Sequence, residues 1–258
     1  MRAASTLVPD RTDTTPRPDL GRDRAPAPRP RHRRRLILRT ALVLTVVLAG
    51  STGWVLRRPW LQGNLGIVDP GLVIRSAQPT ANLPGWIREY HLRALLNLRG
   101  GGHSDWWYGA EVKAARDAGV AFYDLPLSAT RRPGRADLLV LIDTLQSCPY
   151  PLLIHCKSGA DRTGLASAIY LMVRRNVPPE EAEGAFTIGH LHVPIGGPEH
   201  LHEPLREYAA WLAEKGLSHT PERFRDWVKN DYASPDGHDD PPPLATGPRH
   251  RRSALSYR

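Results

Sequence analysis

The chain has 258 residues, 41% apolar and 24% charged, with two cysteines and a formal net charge of +9. Two cysteines exclude a disulfide-built scaffold, and the length suits one ordinary domain with additions at its ends. The charge is unevenly placed: residues 1–39 hold eleven Arg against four Asp, a net +7, residues 233–258 add +1, and only +1 remains for residues 40–232. A nearly neutral middle argues against nucleic acid as a partner.

Residues 1–35 are rich in Pro, Arg and Asp, a composition that buries no core, and they are expected to be a disordered basic tail. The run Arg31-His32-Arg33-Arg34-Arg35 leads into Leu36 to Leu56, interrupted only by Arg39 and small or hydroxyl residues. At ~1.5 Å per residue this stretch reaches ~31 Å, the thickness of a bilayer's hydrocarbon core, and it is expected to be a transmembrane signal-anchor. Arginines crowd its N-terminal flank while Arg57 and Arg58 follow it. The N-terminus is therefore expected in the cytoplasm and the domain beyond the membrane outside it. Cleavage as a signal peptide near Val47-Leu48-Ala49, giving a secreted protein, is the alternative.

Residues 62–232 read as one α/β domain. Arg93 to Leu98 has the pattern of a buried strand, His103 to Gly119 of a helix, and Val120 to Leu125 of the next strand. Leu138, Leu139, Leu141, Ile142 and Leu145 recur at helical spacing between Arg135 and Ser147, followed by a strand at Pro151 to His155. Strands joined by crossover helices imply a mostly parallel central sheet flanked by helices. Helices are then expected at Leu165 to Arg175, from Pro178, and along Leu201, Leu205, Tyr208 and Leu212. Trp211 and Trp227 are expected in the core, and Trp106-Trp107-Tyr108 at a helix start. Residues 233–258 are expected to form a disordered C-terminal tail.

The chemistry is concentrated in residues 155–164, His-Cys-Lys-Ser-Gly-Ala-Asp-Arg-Thr-Gly, between the apolar run Leu152-Leu153-Ile154 and helix-forming residues. A loop of this length can turn its N–H groups inward on a tetrahedral anion. Lys157, Ser158, Gly159, Ala160, Asp161 and Arg162 are the expected phosphate-binding residues. A cysteine attacks as its thiolate, a form favoured beside a cation and at a helix N-terminus. A helix expected from about Thr163 supplies the second condition. Arg162 offers a planar fork for two phosphate oxygens, which lysine cannot match. Gly159 and Gly164 permit a close approach, the Thr163 hydroxyl is expected to donate to the sulfur, and His155 to brace the loop from behind.

His155-Cys156, five residues, then Arg162-Thr163-Gly164 resembles the motif of the cysteine-based protein tyrosine and dual-specificity phosphatase superfamily. Leu72-Val73-Ile74-Arg75-Ser76-Ala77-Gln78-Pro79 and Leu95-Leu96-Asn97-Leu98-Arg99 look like the opening of its compact atypical bacterial dual-specificity members. The resemblance covers about residues 64–175, with weaker support to about 232. It implies a cysteine-phosphatase fold and a metal-independent, cofactor-free hydrolase of phosphomonoesters, with Cys156 as nucleophile. Phosphotyrosine or other phosphoprotein is the implied substrate. A phosphoinositide, phospholipid or inositol phosphate is the alternative, and Lys157 beside the nucleophile permits it. An inactive phosphate-binding pseudophosphatase is the reading from another class.

A second group must protonate the leaving oxygen and later activate water. Asp124, 32 residues before Cys156, is the expected acid, and Asp161 within the loop is its rival. Arg75 and Arg99 are expected to be structural. His190, His192, His200 and His202 lie close together without a metal-ligand spacing and are expected to shape the pocket rim. Cys148 and Cys156 are expected to stand too far apart for a bridge.

Overall fold

The computed structural model describes residues 31–61, 63–102 and 104–233. The rest of both expected tails, Gln62, and His103 at the expected helix start lie outside the described residues. Residues 31–35, read as the end of the tail, are instead the opening of a helix, α1 (Arg31–Leu61). Arginine is a good helix former, and a basic run is no barrier to the helix that follows. Within α1, Arg33–Gly53 spans 21 residues at mean hydropathy 1.8, long and apolar enough to cross a membrane by length and composition. Thr40 and Thr45 donate their hydroxyls to the carbonyls of Leu36 (2.6 Å) and Ala41 (2.9 Å), one turn back. Each hydroxyl is thus satisfied inside the helix, as an apolar surrounding requires.

The α/β domain is built on five short strands: β1 (Gly66–Asp69), β2 (Val73–Ser76), β3 (Ala94–Asn97), β4 (Ala121–Asp124) and β5 (Leu152–His155). Their order in the sheet is β1-β2-β5-β3-β4. The edge pair β1 and β2 is antiparallel, and all other neighbours are parallel. Parallel strands buried on both faces read as unbroken apolar runs rather than alternations. That is the pattern of Ala94-Leu95-Leu96 and Leu152-Leu153-Ile154, every one of which is buried.

Side chains alternate across the sheet. Val73, Ala94, Leu96, Leu152 and Ile154 enter one core, which includes residues of α4 (Arg135–Ser147) and α5 (Asp161–Arg175). Ile74, Leu95, Phe122 and Leu153 enter the other, with α2 (Leu83–Glu89) and α3 (Trp106–Asp117). The first core continues into the helical C-terminal part: α6 (Pro179–Ala182), α7 (Glu203–Lys215) and α8 (Pro221–Asn230). Trp227 is buried there, Trp211 packs against that core half-buried, and Trp106 is exposed at the start of α3.

The architecture follows the expected alternation, with α4 matching Arg135 to Ser147. The β1–β2 pair, α2 and α8 are additions to the reading. So is the start of α5, at Asp161 rather than near Thr163. Because β5 is central, the loop after His155 opens at mid-sheet, beside the ends of β2 and β3.

Candidate active site

The loop from Cys156 to Ala160 is held by its carbonyl groups. Lys157 O accepts from Gln78 N (3.2 Å), and Ser158 O from Asn64 Nδ2 (2.8 Å). Arg75 Nη2 donates both to Gly159 O (2.9 Å) and to Ala160 O (3.1 Å). In a planar trans peptide the carbonyl and the next N–H point opposite ways. Four successive carbonyls turned outward therefore turn the N–H groups of Ser158, Gly159, Ala160 and Asp161 inward. Gly159 N lies 3.2 Å from Cys156 Sγ, an N–H directed at the sulfur.

Gly159 has φ +73°, and a Cβ there would stand 2.6 Å from the backbone of Ser76 and Ala77. Only glycine meets both demands. At Gly164 the constraint is steric alone, since a Cβ would meet the Phe186 ring at 2.7 Å.

Arg75, expected to be structural, is buried at the end of β2 and ties the loop to Ala185 O through Nη1 (2.6 Å). Burial lowers its pKa to about 10, against an opposing pull from Cys156 and Asp161, so it is charged at neutral pH. Arg162, in the first turn of α5, is anchored by Nη1 to Leu98 O (3.3 Å) and Leu127 O (3.2 Å). Its Nε is buried and makes no hydrogen bond within the protein. The guanidinium is thus fixed by one nitrogen while another donor stays unengaged beside the α5 N-terminus, an arrangement suited to an anion.

Thr163 departs from expectation. Its Oγ1 is buried without a hydrogen-bond partner and does not donate to Cys156. Because α5 begins two residues earlier than expected, Thr163 already lies inside its first turn, and the Gly159 N–H is the donor at the sulfur.

Behind the loop, His155 is fully buried with Nε2 against Glu111 Oε1 from α3. Glu111 Oε2 accepts from Gln78 Nε2 (2.7 Å), and Arg99 Nη1 donates to Gln78 Oε1 (3.3 Å) while lying 3.6 Å over the Trp107 ring. Asp124 stands on the same face of the sheet, at the end of β4, and its Oδ2 accepts the Tyr108 hydroxyl (2.8 Å). Burial raises the Asp124 pKa, Tyr108 opposes this, and Glu111 adds to it. Arg132 pairs with Glu207 and donates to the Tyr232 hydroxyl.

Asp161 is oriented differently. Its Oδ1 lies 2.8 Å from His192 Nδ1, whose Nε2 lies 2.8 Å from His202 Nε2, and His202 Nδ1 lies 2.5 Å from Glu183 Oε1. His192 and His202 are buried against Phe186, and the His202 ring stacks on it at 4.0 Å. Of the four histidines expected at the rim, these two are interior. His200 pairs with Glu203, and His190 Nδ1 meets Thr187 Oγ1 at 2.7 Å. Cys148 and Cys156 are both free and buried.

The structure thus runs Lys157 to Arg162 on from Cys156 as one loop, with Asp124 engaged by Tyr108 of α3 and Asp161 by His192. Sequence reasoning missed Asn64, Gln78, Glu111, Tyr108 and Phe186. Their roles arise from partners more than 30 residues away in sequence for Asn64, Gln78 and Glu111, which no local spacing signals.

Residues 68–191 match the family described as a dual-specificity-type protein tyrosine phosphatase fused to NAD+ kinase. Among solved structures, PTPMT1 in complex with PI(5)P is 21% identical, covering 59% of this chain and 99% of that one at a TM-score of 0.45. P. aeruginosa TpbA in complex with pTyr is 22% identical, covering 57% and 95% at 0.43. The catalytic core of the S. cerevisiae PP-IP phosphatase SIW14 is 16% identical, covering 59% and 93% at 0.45.

Proposed function

We propose that this chain is a cysteine-based dual-specificity phosphatase, a reading supported by the family match over residues 68–191, and that it hydrolyses phosphomonoesters through a phosphothiolate on Cys156 without a metal. The observation that carries the assignment to these residues is the outward capture of the Lys157, Ser158, Gly159 and Ala160 carbonyls, which presents inward N–H donors around the sulfur. Phosphate oxygens occupy those donors and the free edge of Arg162. The sulfur attacks phosphorus, and charge spreading over the equatorial oxygens meets preorganised dipoles. The leaving oxygen takes a proton from a carboxyl group as the P–O bond breaks. Water then attacks phosphorus, gives its proton back to that carboxylate, and releases the thiolate.

The substrate we propose first is protein phosphotyrosine, within a dual-specificity range. A Cys156 only 1% exposed is reached more readily by a long aryl ester than by a short one. A second reading, a phospholipid or inositol phosphate, is favoured by one feature. Ile188, Val193 and Ile195 are exposed on the segment that Asn64 Nδ2 ties to the loop, by donating to both Ser158 O and His190 O (3.0 Å). We place the enzyme at a membrane by α1, with the N-terminus cytoplasmic and the domain outside. Release after signal-peptide cleavage is the other route from the same segment.

The test is phosphate release by the full chain in detergent, without added metal, from phosphotyrosine and phosphoserine peptides, phosphoinositides and inositol phosphates. Cys156→Ser is run alongside. Release from one class that the variant abolishes establishes the enzyme and its substrate; release equal in both proteins leaves a phosphate-binding module.

A further inference from the structure

Resting on the phosphatase reading above, we propose that Asp161 is the acid–base group, and that His192, His202 and Glu183 are positioning residues forming a proton wire that ends on it. The contacts are Asp161 Oδ1 to His192 Nδ1, His192 Nε2 to His202 Nε2, and His202 Nδ1 to Glu183 Oε1, at 2.8, 2.8 and 2.5 Å. Each is within hydrogen-bond range, so each needs one proton. Two neutral imidazoles carry two protons in total. Filling three contacts takes a third.

That third proton has two placements. In one, both carboxylates are ionised and His202 is an imidazolium, donating to Glu183 and to His192, while His192 donates to Asp161. In the other, Asp161 is a neutral acid donating to His192 Nδ1, His192 Nε2–H donates to His202, and His202 Nδ1–H donates to Glu183. Two hops, His192 to Asp161 and His202 to His192, convert the first into the second with every hydrogen bond kept.

The surroundings suit a wire. The rings are shielded by Phe186, which also packs on Gly164 of α5. An N–N approach of 2.8 Å leaves no room for a bridging ion, since a metal would need about 2.0 Å to each nitrogen. Burial lowers the His202 pKa against the pull of Glu183, with His192 and Arg206 adding to the lowering. The other charged groups facing the array are Arg75, whose charge interacts with Asp161, and Arg206 of α7, whose Nη2 lies 2.6 Å from Glu183. Glu183 is a quarter exposed and joins the array to solvent. With Oδ1 held by His192, Oδ2 of Asp161 is the oxygen that meets substrate. Asp161 starts with a proton on Oδ2 and the first placement behind it. As the S–P bond forms and the P–O bond breaks, Oδ2 gives that proton to the leaving oxygen while Oδ1 takes the His192 proton and His192 takes that of His202. The attacking water's proton, taken up by Oδ2, reverses both hops.

The discriminating readout is the leaving group. A nitrophenyl phosphate expels a stable phenolate and needs little acid, whereas an alkyl phosphate needs a proton in the transition state. In full-length His202→Gln and His192→Gln, kcat for the alkyl ester is expected to fall roughly tenfold or more while kcat for the nitrophenyl ester stays within about threefold. Asp161→Asn is expected to show the same split, more strongly. Vanadate inhibition of each variant reports whether the cradle is intact. Equal losses on both esters, or no loss on either, overturn the wire. Absence of Cys156-dependent release from either ester by the wild type defeats the phosphatase reading and the wire with it.

Discussion

Arg75 Nη2 donates to Gly159 O at 2.9 Å, binding the end of β2 to the middle of the loop that surrounds Cys156. The same nitrogen reaches Ala160 O, and Nη1 reaches Ala185 O. One buried guanidinium therefore fixes two of the four carbonyls whose orientation turns the loop donors inward. Arg75→Met is expected to leave three carbonyls without a partner from this side chain and to lower stability by about 2–4 kcal/mol. Activity should fall much further than binding of unrelated ligands, and Arg75→Lys should not restore it, because an ammonium lacks the planar fork. Urea unfolding together with phosphate release checks both parts.

Gly159→Ala tests the loop by geometry alone. The added Cβ would meet Ser76 and Ala77 backbone at 2.6 Å in a left-handed conformation. The expected result is loss of vanadate binding and of turnover, with far-UV circular dichroism retained, because the sheet beneath does not depend on this residue.

Asp124 and Asp161 separate cleanly by substitution. Burial raises the Asp124 pKa, so its ionised form is disfavoured in the folded protein. Stability it contributes is present at low pH and is lost as pH rises from the unfolded to the folded value. Asp124→Asn, which can still accept from Tyr108, is therefore expected to be neutral or stabilising at pH 7 and to keep most alkyl-phosphate activity. Asp161→Asn is expected to lose about 10²-fold or more on the same substrate. The reverse ranking assigns the acid to Asp124.

Asp69 gives a pH test away from the site. Its pKa is lowered chiefly by the hydrogen bond from Arg175 at 2.5 Å, with burial opposing and the Tyr170 hydroxyl assisting. A depressed carboxylate contributes stability above its unfolded value, near 3.9, and loses it as pH falls through the folded one. Asp69→Asn is expected to lower Tm by roughly 2–4 °C at pH 7, and the difference from wild type should close as acid protonates Asp69.

The central strands were legible because Leu152-Leu153-Ile154 and Ala94-Leu95-Leu96 are apolar throughout, as strands covered on both faces must be. The cradle was legible because Cys156, Gly159 and Arg162 share one loop. α8 was readable in principle: Thr220 caps it, accepting from Arg223 N at 3.1 Å, with Pro221 at the first helical position. The outer partners were not. Asn64 meets Ser158, and Arg75 meets Gly159, only because strand order β1-β2-β5 brings residues 80 or more positions apart together. The interior placement of His192 and His202 likewise depends on Phe186 and Asp161, and the spacing of histidines alone does not encode it. Thr163 was misplaced by a two-residue error in the start of α5, enough to rotate a side chain to another face.

The most direct measurement is mass spectrometry of the full chain, quenched in acid during turnover of its best phosphomonoester. The account predicts a phosphoryl group on the peptide containing Cys156, absent in Cys156→Ser and accumulating in Asp161→Asn, where water activation is slowed. Steady turnover with no phosphoryl group on Cys156 in any of these proteins, or with one on another residue, would contradict it.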